Sequence, residues 1–108
     1  MKENEYQANL IKKLKDRFPG SIILKNDPNY KQGIPDLSIF YKDKWATLEV
    51  KKDEKAKLRP NQEYYVETMN EMSFSRIIFP QNEEEVLDAL EQSFKGRAKR
   101  KSRSSRSK

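Results

Sequence analysis

The chain has 108 residues, enough for one domain, and is 37% charged and 34% hydrophobic. It has no cysteine and no histidine, which excludes disulfide scaffolds, thiolate zinc sites, thiol nucleophiles and imidazole acid–base chemistry. The net charge of +6 is unevenly spread: eight Lys/Arg and no acids lie from Lys95 onward, while residues 1–94 hold 15 basic and 17 acidic side chains.

Residues 3–18 predict an amphipathic helix, with Tyr6, Leu10, Ile11, Leu14 and Phe18 at helical spacing and Pro19-Gly20 as its stop. SIILKN (21–26) predicts a strand, and DPNYKQGIP (27–35) a loop. DLSIFY (36–41) and WATLEVK (45–51) alternate and are rich in β-branched and aromatic residues, so they predict a hairpin through Lys42-Asp43. That turn lacks Asn-Gly or Asp-Gly, which leaves its type open. A charged loop follows at 52–59, then a helix from Pro60 to about Met72 and a strand at 74–79 closed by Pro80. Asn82 and Glu85 predict a capping box that opens a last helix to about Phe94. The order α-β-β-β-α-β-α specifies an α/β domain over 1–94, a mixed sheet flanked by helices. Residues 95–108, GRAKRKSRSSRSK with the preceding Lys, have no apolar periodicity and predict a disordered basic tail. No apolar run approaches the ~20 residues that cross a bilayer, and no signal-peptide pattern opens the chain. A soluble, cytoplasmic protein with no membrane partner is expected.

The chemistry-bearing residues lie in the hairpin. A two-residue turn at Lys42-Asp43 sets Asp36 opposite Glu49, where Cβ atoms sit ~4.5–5.5 Å apart. Lys51, two residues beyond Glu49, projects from the same face. Two opposed carboxylates destabilise a sheet unless something offsets the repulsion. A divalent cation with hard oxygen ligands would do so. The competing reading is a solvated charged face with a weak ion pair.

Ile34-Pro35-Asp36 followed by Leu48-Glu49-Val50-Lys51 resembles the PD-(D/E)XK nuclease superfamily, whose core shares this element order. GIPDLSIF…ATLEVKK…LRPNQ is most similar to the VRR-NUC branch and to Holliday-junction resolvases, and the likeness spans roughly residues 3–93. It implies a restriction-endonuclease-like core and a Mg²⁺-dependent endodeoxyribonuclease, with Mn²⁺ as a substitute. It further implies Asp36 and Glu49 as metal ligands with the Val50 carbonyl, Lys51 as a catalytic residue, and Gln62 bordering the site. Relatives carry a longer basic or Gly-rich segment before the Gly33 position, and its shortness here bears on DNA-structure specificity.

The family also uses a glutamate on the first helix. At 100° per residue, Glu3 falls on the inward face with Leu10, Leu14 and Phe18, and Gln7 one turn further along it. Glu5 falls on the opposite side and is the alternative if the helix starts late or is rotated. Glu3 is thus the expected catalytic and metal-ligating acid of that helix, though acids also suit a first turn for its dipole alone.

Lys52, Lys55, Lys57 and Arg59 are expected to contact phosphates, as are Lys99, Arg100 and Lys101 in the tail. Tyr30, Tyr64 and Tyr65 are candidates for base stacking, although Tyr64 and Tyr65 are expected to pack partly against the sheet, and Trp45 to sit in the core. One site per protomer implies a homodimer or higher homo-oligomer for two-strand cleavage. The readings in order are a structure-selective endonuclease, a homing, restriction-like or general DNA-degrading endonuclease, and a non-catalytic nucleic-acid-binding module. The small size, the lysine richness and the resemblance point to a phage or mobile-element protein.

Overall fold

The computed structural model describes residues 1–96. Its elements are α1 (Glu3–Arg17), β1 (Ile22–Lys25), β2 (Leu37–Tyr41), β3 (Lys44–Val50), α2 (Pro60–Met72), β4 (Ser75–Ile78) and α3 (Glu83–Phe94), with a 3₁₀ turn at Pro80–Asn82 before α3. The strands lie in the order β1-β2-β3-β4. The first two pairings are antiparallel and β3–β4 is parallel. This is the α/β architecture expected, a mixed four-stranded sheet with three helices.

β3 lies inside the sheet and is continuously buried from Ala46 to Val50, as a strand covered on both faces must be. The hairpin takes the expected register, Leu37 opposite Leu48 and Tyr41 opposite Lys44. Of the two turn residues only Lys42 has positive φ, at 60°. That is the φ pattern of a type II′ turn, adopted here without the usual glycine.

Side-chain alternation sorts the sheet into two faces. Leu37, Ile39, Ala46, Leu48, Val50 and Ile78 join Tyr6, Leu10 and Leu14 of α1 and Val86, Leu87, Leu90 and Phe94 of α3 in one core. Phe18, Tyr41 and Phe94 close its end, with ring centroids 5.2–5.5 Å apart. α1 and α3 are also joined by polar contacts. Tyr6 donates to Glu83 at 2.9 Å, Lys13 pairs with Glu83 at 2.7 Å and Arg17 with Glu91 at 2.9 Å. On the other face the Thr47 hydroxyl lies 2.7 Å from that of Ser75 and 3.4 Å from Met69 Sδ, so α2 covers β3 and β4. The β1–β2 half of this face is bare, leaving Ile22, Leu24 and Phe40 exposed.

The start of α3 differs from expectation: no Asn82–Glu85 capping box forms. Pro80 opens the 3₁₀ turn, and this aims the Asn82 side chain back at β4. Its Oδ1 accepts from the Phe79 N–H at 2.8 Å, and its Nδ2 donates to the Ile77 carbonyl at 3.0 Å. Glu83, Glu84 and Glu85 complement the helix dipole instead. Tyr64 also departs from expectation. It is exposed and meets half-buried Tyr65 edge-to-face, while Val66 is the residue α2 buries. Trp45 is half-buried rather than a core residue. Among the described residues no helix is long and apolar enough to cross a membrane.

Candidate active site

Asp36 immediately precedes β2 and Glu49 is the penultimate residue of β3. Extending the hairpin register by one pair sets them side by side, and the charge of Asp36 acts on Glu49. Asp36 Oδ2 accepts the Val50 N–H at 2.9 Å. Glu49 is 2% exposed. Its Oε2 accepts from Gln62 Nε2 at 3.2 Å and pairs with Lys51 Nζ at 3.4 Å. Its Oε1 is buried with no donor.

Gln62 is placed by its own helix start. Its Oε1 accepts the Arg59 N–H at 2.9 Å, half of a capping box, and also lies 3.4 Å from Lys51 Nζ. A carboxylate only accepts and an ammonium only donates, so these partners fix which end of the amide faces which. One side chain thereby holds both Glu49 and Lys51.

Burial first, and then the neighbouring Asp36, push the Glu49 carboxyl up to about 7 against the pull of Lys51. Burial raises Asp36 as well, opposed by the Val50 N–H and by Lys51. Two carboxyls share one desolvated place, and Lys51 compensates only part of their charge. A buried acceptor left unpaired costs about 1–3 kcal/mol. A divalent cation would resolve both problems, and an all-oxygen donor set suits Mg²⁺ or Mn²⁺. The Val50 carbonyl fits this set. The Lys51 N–H donates to Ile78 of β4 at 2.9 Å. The intervening peptide is trans, so the Val50 carbonyl points away from β4, toward the side where Asp36 lies.

Glu3 is exposed. Its charge still reaches the site, as the smallest of the influences that raise Glu49. Glu5 instead accepts the Lys2 N–H at 3.0 Å. Both acids of the first turn are exposed, so the expected inward placement of Glu3 shows only as its charge acting on Glu49. Among the described residues no three carboxylates gather closely enough to hold an ion together, so Glu3 does not join Asp36 and Glu49 as a third close ligand. Gln7 is half-buried.

Lys52, Lys55, Lys57 and Arg59 are exposed in the loop after β3, and none forms an ion pair among the described residues. Lys55 sits in an Asx-type turn, its N–H bonded to Asp53 Oδ1 at 2.8 Å. Lys99, Arg100 and Lys101, and the tail beyond Gly96, lie outside the described residues. Sequence reasoning missed Asn26 and Asn61, which frame the loop before Asp36. Asn26 donates to the Pro35 carbonyl and the Ser38 hydroxyl, both at 2.9 Å, and Asn61 donates to the Gln32 carbonyl at 3.2 Å. The available signal was Gly33, which has a positive φ of 92° and whose missing Cβ lets Asn61 approach its backbone.

Comparison of the chain with protein-family models, curated proteins and solved structures finds no match in any of the three. The site's own chemistry is what a functional reading has to stand on.

Proposed function

We propose that this protein is a Mg²⁺-dependent endodeoxyribonuclease of the PD-(D/E)XK kind, with Mn²⁺ as an alternative ion, acting on DNA as a cytoplasmic homodimer or higher homo-oligomer. One observation carries the reading: buried Glu49, with an unpartnered Oε1, paired with half-buried Asp36 and set beside the Lys51 ammonium. A protein that only binds DNA gains nothing from buried anions turned toward a polyanion.

Asp36, Glu49 and the Val50 carbonyl would hold the cation. Bound there, it supplies Lewis-acid polarisation of the scissile phosphate and offsets charge on the leaving oxygen. Lys51 orients the attacking water and donates to the phosphoryl oxygen as negative charge builds there. Gln62 keeps Lys51 and Glu49 in register through contacts of 3.4 and 3.2 Å. Glu3 adds negative potential from the end of α1. The exposed cations of the 52–59 loop supply phosphate contacts that position the backbone without reading its sequence. The resemblance implies a 5′-phosphate and a 3′-hydroxyl as products. The described residues form one small domain with no separate recognition module, which favours structure-selective or weakly specific cutting.

The test is incubation of the purified chain with supercoiled plasmid and with a four-way junction, in Mg²⁺ or EDTA, beside Glu49→Ala. Mg²⁺-dependent cutting that is lost in the variant is the expected result, and the preferred substrate separates a resolvase from a general endonuclease. Full activity in Glu49→Ala would refute the assignment. Salt-sensitive binding with no cutting of either DNA would establish a binding module instead.

A further inference from the structure

The loop between β1 and β2, residues 26–36, is heavily tied. At its base the Asn26 N–H donates to the Asp36 carbonyl at 2.8 Å, and the Asn26 amide grips Pro35 and Ser38. Within it Asp27 accepts from the Asn29 N–H at 2.8 Å through its side chain and from the Tyr30 N–H at 3.1 Å through its carbonyl. A second turn follows, Ile34 N–H to the Lys31 carbonyl at 3.2 Å. From α2, Asn61 reaches across to the Gln32 carbonyl and packs against Gly33 so closely that a Cβ there would lie 2.7 Å from Asn61 Cγ. Asn61 is the neighbour of Gln62, and the loop runs straight into Asp36. The loop is therefore fixed to Asp36 at one end and to the first turn of α2, which carries Gln62, at the other.

At the tip of this pinned loop stands Tyr30, 88% exposed, the most exposed of the chain's large apolar side chains among the described residues. Nothing in the fold uses the ring. An aromatic face in water on a rigid support is a stacking surface whose ordering cost is already met. We propose that Tyr30 is a nucleobase-stacking residue on the rim of the active site, taking an unpaired or splayed base of the DNA, with Asn61 and Gly33 as the latch that holds it in place. This rests on the nuclease reading for the identity of the ligand. It goes further in naming the residue that favours DNA with unstacked bases, since a paired base within a duplex has no free face to offer.

The measurement uses a forked duplex with 2-aminopurine in its single-stranded arm, titrated with the full chain in EDTA so that the DNA stays intact. Mg²⁺-dependent cutting of the same DNA is followed in parallel. Wild type and Tyr30→Phe are expected to quench the probe. Tyr30→Ala should lose the quench, bind the fork about 10-fold or more weakly, and raise KM with little change in kcat. Asn61→Ala, which keeps the ring but frees the loop, should lose part of the quench. The ring is solvent-exposed, so the unfolding midpoint of Tyr30→Ala should match wild type. A wild-type chain that cuts DNA while Tyr30→Ala quenches as well as wild type overturns the stacking role alone. An unchanged quench in Asn61→Ala overturns the latch. A wild-type chain that neither binds nor cuts overturns both this and the nuclease reading, and a quench lost only in Tyr30→Ala without any cutting keeps the stacking role and refutes the nuclease.

Discussion

Glu49→Gln separates the cost of the site from its use. The folded chain keeps the Glu49 proton up to about pH 7, whereas the ordinary value for the group is 4.5. Between those pH values the native state binds more protons than the unfolded state, so stability falls as pH rises through the window and levels off above it. At ~1.4 kcal/mol for each unit of displacement, the loss by pH 8 is about 3 kcal/mol. The side chain is 2% exposed, so solvent does little to screen this. Glutamine mimics the protonated carboxyl in shape and charge and does not titrate. The variant should therefore be more stable than wild type by about 3 kcal/mol at pH 8 in EDTA, a rise of roughly 10–20 °C in Tm for a domain of this size. Below pH 4.5 the two should converge. Urea unfolding followed by circular dichroism at several pH values measures this directly. Adding Mg²⁺ at pH 8 should stabilise wild type, because the ion binds the ionised pair in the folded state only, and should leave the variant nearly unmoved. A variant no more stable than wild type at pH 8, or one stabilised by Mg²⁺ to the same extent, would refute the reasoning.

Three further outcomes are expected. Lys51→Met should lower Mg²⁺-dependent cutting about 100-fold or more while Mg²⁺ still raises Tm, because the carboxylates remain and only the cation that orients water and phosphate is gone; activity within a few-fold of wild type would remove Lys51 from the mechanism. Gly33→Ala should destabilise by about 1–3 kcal/mol in urea unfolding, since alanine at a φ of 92° is strained and its Cβ meets Asn61; an unchanged midpoint would show that the loop yields freely. Deleting residues 97–108 removes seven Lys/Arg and should flatten the slope of log affinity for DNA against log salt by several units, at about 0.9 for each phosphate that the tail no longer neutralises; an identical slope would show that the tail does not touch DNA.

The fold was legible where one physical signal dominated. Alternation with β-branched residues located β2 and β3, and the two-residue spacing between them fixed a register that sets Asp36 beside Glu49. Helical spacing found the buried face of α1, with Tyr6, Leu10 and Leu14 on it. What escaped were places where several polar options compete. Asn82 resembled a helix cap, but Pro80 upstream bent the chain first, and the amide satisfied β4 and its turn instead. Tyr64 looked like a residue that α2 would bury, yet Val66 and Met69 meet the sheet and leave that ring outside. Asn26 and Asn61 could not be told from ordinary surface amides, because their partners are backbone carbonyls nine and 29 residues away in sequence.

The same contrast explains why the carboxylate pair stood out in the residue pattern, while Gln62 was reached only through the family resemblance. A carboxylate placed on a central strand beside another carboxylate breaks a local rule of sheet stability, and a broken rule is visible in the residue pattern. The groups that hold such a site break nothing. Gln62 is an ordinary helix residue until the Arg59 N–H orients it and Glu49 and Lys51 close on it. Their identity depends on which chain segments meet, and that is decided by packing α2 over β3 and β4. A violation of local consistency therefore marks the candidate site, and tertiary structure supplies the parts that hold it in place.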